Sequence, residues 1–315
     1  MKKISFLLAS FISFFLIFSC STNINVRVNR PAELDLSFAE TVAVLPFAED
    51  PNFWDYLLFG TDTYEIAKHF TTRLQSELTE SDYFTVINPS QVQIALQNGK
   101  IPSCDVYITG NIYNLYTKIE ENERTEKNSK TDVVEVIIEY YRTLNFSLTY
   151  QIVDSATGEI LKKFQDSYTL ESEYELLKSK VPSPCELAKS ELNDVISDLI
   201  TQITPHSVSK SITLLKDKTK NPQMEYADKL VKDGNLTLAY NEFVEVYENT
   251  NMFEAGYNAA CILEAQAKYE EAQDFLLDLY NRTGNTKALE LLKDVRYEIS
   301  QRDKLIQQNK TRGLN

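Results

Sequence analysis

With 32 basic against 46 acidic side chains in 315 residues, a formal charge of −14, this chain argues against a nucleic-acid partner, because phosphate backbones are contacted through lysine and arginine. At 43% apolar residues it can bury a sizeable core, and its length exceeds what one hydrophobic core usually organises. Eight scattered glycines and two histidines supply neither a glycine-rich phosphate loop nor a paired-histidine metal motif.

Lys2 and Lys3 precede a 15-residue stretch, positions 4–18, that is apolar except for three serines and runs into Ser19 and Cys20. A charged start, a short apolar run and small closing residues make an export signal. The run is shorter than the ~20 residues a membrane-spanning helix needs. Ile17-Phe18-Ser19-Cys20 resembles a bacterial lipobox, which implies cleavage before Cys20 and its acylation with palmitate or a similar chain; an uncleaved anchor, or a plain secreted protein with a free Cys20, is the alternative. Removing residues 1–20 deletes two lysines and no acid, leaving 30 basic and 46 acidic residues and a charge of −16. Such a chain is repelled by anionic headgroups, so acyl chains contributing about 0.8 kcal/mol per buried methylene must anchor it. The expected location is the bacterial cell envelope, lipid-anchored at the outer membrane or the periplasmic face.

Residues 21–40 read as a tether. Thr41-Val42-Ala43-Val44-Leu45-Pro46-Phe47 has the length and β-branching of a buried strand, with Pro46 at its exit. Asp62 and Glu65 suggest a capping box for a helix whose Ile66, Phe70, Leu74 and Leu78 recur at every fourth position. A strand over 83–87, a turn at Asn88-Pro89-Ser90 and a helix carrying Val92, Ile94, Ala95 and Leu96 follow, an alternation that predicts an α/β layer. A further strand opens at 105–112, and Leu144, Phe146, Leu148, Tyr150 and Ile152 alternate with polar neighbours, the period of a strand with one wet face. This strand turns at 154–158 and returns over 160–170, with Gly158 in the tight position. The almost wholly polar stretch 120–132 reads as a solvated hairpin tip. Ser183 and Glu186, with Pro184 between them, form a capping box with proline at the first helical position. Ala188, Leu192, Val195, Ile196, Leu199 and Ile203 then line one face of the helix, and Pro205 stops it.

The strand at Val42 to Phe47, the 105–112 segment with its Thr109-Gly110, and the Asp154-x-x-Thr157-Gly158 hairpin resemble the N-terminal α/β fold of the curli-secretion lipoprotein family (CsgG). The penicillin-binding-protein activator lipoproteins and the TolB N-terminal domain share that fold. The resemblance implies a mixed sheet with helices over 41–206 and a non-catalytic envelope role. The family's pore-forming branch implies a second possibility, a subunit of a CsgG-type outer-membrane export pore. Against that possibility, neither 114–118 nor 135–142 shows the nine- or ten-residue apolar face of a lipid-exposed strand.

Residues 207–221 are polar and carry Lys210, Lys216, Lys218 and Lys220, which reads as a linker. From 222 to 305 the pattern is all-α. Ala227, Leu230, Gly234, Ala239, Tyr240, Phe243 and Val246 reappear 33 positions on as Ala260, Leu263, Ala267, Ala272, Gln273, Leu276 and Leu279, the mark of a repeat array. Tyr257-Asn258-Ala259-Ala260 and Tyr269-Glu270-Glu271-Ala272 resemble the two helix signatures of tetratricopeptide repeats. That resemblance implies a protein-binding module in which Tyr257, Asn258, Ala260 and Ala272 are candidate site residues. A capping helix carries Ala288, Leu291, Leu292, Val295 and Ile299, and 306–315 reads as a polar tail.

No catalytic constellation, cofactor motif, metal-ligand spacing or small-molecule substrate site emerges from the residues. His69, on the first helix, reads as a core-rim side chain, and the acid pairs Glu120/Glu121 and Glu270/Glu271 lie on solvated segments. Cys104 and Cys185 either pair across the α/β domain or leave Cys185 as a thiol activated by a helix N-terminus, while Cys261 reads as a small core residue. The sequence therefore points to a non-catalytic envelope lipoprotein. It is expected to sit on the membrane through Cys20 and to bind envelope proteins through its repeats, as a scaffold or recruitment factor.

Overall fold

The computed structural model describes residues 22–48, 61–127 and 133–313; Cys20 and the export signal lie outside them. Residues 21–40 are not a tether: β1 (Asn23–Arg30) alternates Ile24, Val26 and Val28 against exposed Asn23, Asn25 and Arg27. It pairs with β7 (His206–Thr213) in a two-stranded sheet, so the expected linker begins as a strand. The described residues form two compact units. One comprises Asn29–His206 with the segment from Asp303, the other residues up to Val28 with Ser207–Arg302.

The first unit is built on a five-stranded sheet in the order β3 (Thr85–Val86), β2 (Thr41–Val44), β4 (Val106–Lys127), β5 (Val134–Asp154) and β6 (Ile160–Glu171). β2 runs parallel to β3 and β4, and β4, β5 and β6 form an antiparallel meander. It is thus the mixed sheet with helices that the pattern predicts. The unbroken apolar run of β2 follows from cover on both faces. Val42 and Val44 join α1 (Asp62–Glu80) in the main core, whereas Ala43 and Leu45 meet Val92 of α2 (Pro89–Gln97) and Cys104 on the other side. The faces of α1 and α3 (Pro184–Ile203) bury the residues their periodicity picks out, from Ile66 to Leu78 and from Ala188 to Ile203.

Ser183 and Glu186 close the capping box of α3, with Ser183 N–H donating to Glu186 Oε2 at 2.9 Å and Glu186 N–H to Ser183 Oγ at 3.2 Å. The box expected at Asp62 does not form. Thr61 is the N-cap residue and Asp62 begins the helix, so Asp62 and Glu65 are first-turn acids, favoured there by the exposed N–H groups, and Glu65 also accepts from the Thr61 hydroxyl at 3.1 Å. Gly110 is required by contact: a Cβ there would stand 2.2 Å from the Thr149 carbonyl oxygen and 2.3 Å from the Phe47 ring.

β4 and β5 continue as a two-stranded ribbon past the end of β6, with paired register to Lys127 and Val134. The polar stretch from 120 is therefore strand as far as Lys127, and only 128–132 lie outside the described residues. A bulge between Tyr113 and Tyr116, with Asn114 at φ 55°, shifts the inward parity of β4 by one residue and keeps Leu115 against the core.

The second unit is helical: α4 (Pro222–Lys232), α5 (Leu236–Thr250), α6 (Phe253–Ala265), α7 (Tyr269–Thr283) and the first part of α8 (Thr286–Thr311). The 33-residue periodicity is conformational as well as compositional. Gly234 and Ala267 share a left-handed backbone, as do Asn251 and Gly284, each pair 33 positions apart. Thr250 and Thr283, also 33 apart, each donate to the carbonyl four residues earlier at 2.6 Å. Of the expected polar tail, 306–311 are the last turns of α8. Gln308 donates to and accepts from the backbone of Ala32, 3.0 Å each way, and Arg312 lies 3.9 Å from the Tyr83 ring centre and donates to the Ala39 carbonyl at 2.5 Å. These contacts fasten the C-terminal segment to the α/β unit.

Candidate functional site

The helical unit holds an extended stretch of its own chain by polar side chains that are almost wholly buried. Just beyond β7, Leu215 donates its N–H to Asn258 Oδ1 at 2.7 Å and accepts from Asn258 Nδ2 at 2.9 Å. A primary amide carries donor and acceptor in one plane, so it grips a peptide backbone without reading its side chain. Five residues earlier, Lys210 Nζ donates to Glu264 Oε1 at 2.6 Å and to Glu298 Oε1 at 2.7 Å. Both acid side chains are only 2% exposed. Ile212 and Leu214, between the two anchor points, are buried in the helical core. Lys210, Ile212 and Leu214 thus all point into the helical unit, as the period of a strand requires.

One ammonium serves two buried carboxylates. Desolvation opposes the charge of Lys210, yet hydrogen bonds from Glu264 and Glu298 leave its pKa raised. Desolvation raises Glu264 by more than Lys210 lowers it, with Glu298 and Asp294 adding to the rise. The shifts differ in cause: burial dominates at Glu264, whereas the two carboxylates outweigh burial at Lys210. Glu264 Oε2 is buried without a hydrogen-bond partner. Tyr257, half-buried on α6, has its pKa raised by burial and then by the charges of Cys261, Glu264, Asp294 and Glu290. Glu290, Asp294 and Glu298, spaced four apart on α8, run from exposed to buried, as one stripe of a helix does.

Of the residues expected to contact a partner, Asn258 binds this chain's own backbone, and Ala260 and Ala272 have no exposed surface. The alanines are where helices press together, so they shape the module and offer nothing to a ligand. Lys210, Glu264 and Glu298 were not among the expected site residues. The signal was present: Lys210 stands in the alternation Val208, Lys210, Ile212, Leu214, and Glu264 interrupts an apolar run.

In the α/β unit a cleft of about 420 Å³ is lined by Pro46, Ala48, Tyr64, Lys68, Thr71, Thr72, Gln75 and Gln93. Its Thr71 hydroxyl accepts from Phe47 N–H and its Gln75 amide donates to the Val44 carbonyl, so those groups serve β2 and its exit. Cys104 and Cys185 are free thiols, not a bridge. Burial raises Cys185 above its ordinary pKa despite its place in a helix first turn, and burial likewise raises Cys104 and Cys261. Burial lowers the pKa of His69, and its Nε2 is enclosed without a hydrogen-bond partner. Glu270 pairs with Arg302 at 2.7 Å and Glu120 with Lys118 at 3.6 Å. Among the described residues no group of three His, Cys, Asp or Glu side chains could hold a metal ion, and no helix is long and apolar enough to cross a membrane.

No protein-family model matches the sequence, and comparison with curated proteins gives no match. Among solved structures the chain is similar to a PelC dodecamer from Paraburkholderia phytofirmans, at 16% identity over 58% of this chain and 98% of that one, with a TM-score of 0.26. It is also similar to lipoprotein GNA1162 from Neisseria meningitidis, at 15% identity over 51% and 96% of the two chains, with a TM-score of 0.23. Likeness at this level says nothing of function.

Proposed function

We propose that the protein is a non-catalytic, lipid-anchored envelope protein that holds a partner protein at a membrane through its helical unit. One observation carries this reading: the unit grips extended polypeptide, closing both backbone bonds of Leu215 with a fully buried asparagine. A side chain arranged to bind backbone suits recognition of another chain, and the export signal ending at Cys20 supplies the membrane attachment. Replacing Cys20 by Ala abolishes fatty-acid labelling and membrane recovery if the anchor is there; unchanged labelling refutes it. A photo-crosslinker at exposed Tyr226 on α4 or Tyr297 on α8 then reports the partner in cells.

The export-pore reading draws on the β4–β5 ribbon. On one of its faces Val134, Val136 and Ile138 are exposed, but their cross-strand neighbours are Lys127, Thr125 and Glu123. Three apolar residues on one strand fall short of a lipid-facing band about 25 Å tall, and the recruitment reading is preferred.

A further inference from the structure

The recruitment reading leaves open what kind of segment the helical unit takes, and the site itself constrains the answer. Its binding surface already has an occupant, residues 207–215 of the same chain. Three features define what fits. The Asn258 amide pairs with backbone alone, so it accepts any extended residue at that point. Ile212 and Leu214 fill apolar positions two and four residues after Lys210. The third position is the buried acid pair, and there the fit is incomplete. Lys210 reaches Oε1 of each glutamate, but Glu264 Oε2, on a residue only 3% exposed, has no hydrogen-bond partner.

An ammonium is a compact point charge with three donors, whereas a guanidinium presents five donors in a planar fork that pairs both oxygens of a carboxylate. Charge points the same way, since Asp294 and Glu290 lie further along the stripe of α8 that carries Glu298 and add negative charge around the pair. An unpaired buried oxygen weakens the hold of the resident segment.

Building on the recruitment reading, we infer that residues 207–215 are a resident occupant that a partner's extended segment displaces. The displacing segment carries arginine where the resident one carries Lys210, and apolar residues two and four positions later. An incoming strand takes over the pairing with β1 as well as the Asn258 clamp.

The test uses the wild-type full chain and three labelled peptides spanning positions 206–217: the native sequence, a K210R peptide and a K210A peptide. Fluorescence anisotropy reads binding, and hydrogen exchange reads the amides of 207–215 in the chain. The K210R peptide is expected to bind about tenfold tighter than the native one, as one added charge-assisted hydrogen bond provides. The K210A peptide should be weakest, and bound peptide should strip protection from 207–215. In a chain carrying Glu264→Gln the arginine advantage should shrink toward the native peptide's affinity. Equal affinities for the arginine and alanine peptides, or no binding with the segment still protected, would overturn the inference. A crosslinked partner in cells alongside peptide failure leaves recruitment standing through another surface, whereas no crosslinked partner sinks recruitment whatever the peptides do.

Discussion

Ala267 adopts φ 58° between α6 and α7, the position that Gly234 fills one repeat earlier at φ 79°. A Cβ in the left-handed region costs roughly 1–2 kcal/mol, partly offset by the greater chain entropy that glycine loses on folding. Ala267→Gly is expected to stabilise the helical unit by about 0.5–1 kcal/mol, read from urea unfolding; an unchanged or lower midpoint would show that the strain is relieved elsewhere. Glu264 makes the opposite kind of residue-level statement, about pH. Its pKa is raised in the folded chain, mainly by desolvation, so the folded state takes up a proton that the unfolded state does not yet bind. Its contribution is therefore most favourable below the ordinary glutamate pKa and is lost as pH rises through the raised folded value. Acidification from neutral pH should thus give back stability at this site, against the trend set by Glu186 and Asp217, whose lowered pKa values make them lose stability on acidification. Comparing wild type with Glu264→Gln by thermal unfolding from pH 7.5 to 5 isolates the effect, since the amide cannot titrate. Parallel pH curves would refute it.

At the scale of elements, what could be read in the sequence depended on whether a face was buried by neighbours of regular period. The faces of α1 and α3, the β5–β6 hairpin and the 33-residue repeat were readable because each repeats one spacing over several turns or residues. β1 and β7 were not, although Ile24-x-Val26-x-Val28 and Val208-x-x-x-Ile212-x-Leu214 alternate, because their intervening polar residues and lysines resemble a linker. A strand whose inward set includes a lysine is recognisable only once its acidic partners, 54 and 88 positions away, are known. The strand character of 120–127 is hidden for a related reason: two paired strands satisfy each other's backbones and tolerate charge on both faces, and Arg124 pairs with Glu139 across the ribbon at 2.7 Å. The repeat also yields a packing prediction. Ala260 has no exposed surface, in the core shared by α4 to α8, and Ala260→Leu should destabilise the unit by about 1–3 kcal/mol through overpacking. Retention of the wild-type unfolding midpoint would mean that the helices can separate to admit it.

For the whole molecule, the order of residues along the chain and their grouping in space differ. A reading in chain order sets one domain to end near 206 and a tail to begin at 306, yet the segment from Asp303 belongs to the α/β unit. Two of its residues, Gln308 and Arg312, explain why. Gln308 replaces a missing backbone neighbour for Ala32, pairing both its N–H and its C=O in a buried setting. Arg312 stacks on Tyr83, stands 5.0 Å from the Phe84 ring centre, and donates to Ala39 just before β2. Removing this segment leaves the Ala32 groups unpaired and uncovers Phe84, which is only 5% exposed. At about 1 kcal/mol for each neutral hydrogen bond and 0.5–2 for the cation–π contact, a chain ending at Arg302 should lose roughly 2–5 kcal/mol of α/β stability. Arg312→Ala alone, which removes the bond to Ala39 and the ring contact, should lose about half of that. Hydrogen exchange of the β2 and β4 amides provides the measurement, because these central strands open only with the whole unit. Unaltered exchange in the truncated chain would mean that Ala32 and Tyr83 find other partners and that the last turns of α8 contribute nothing to the sheet they touch.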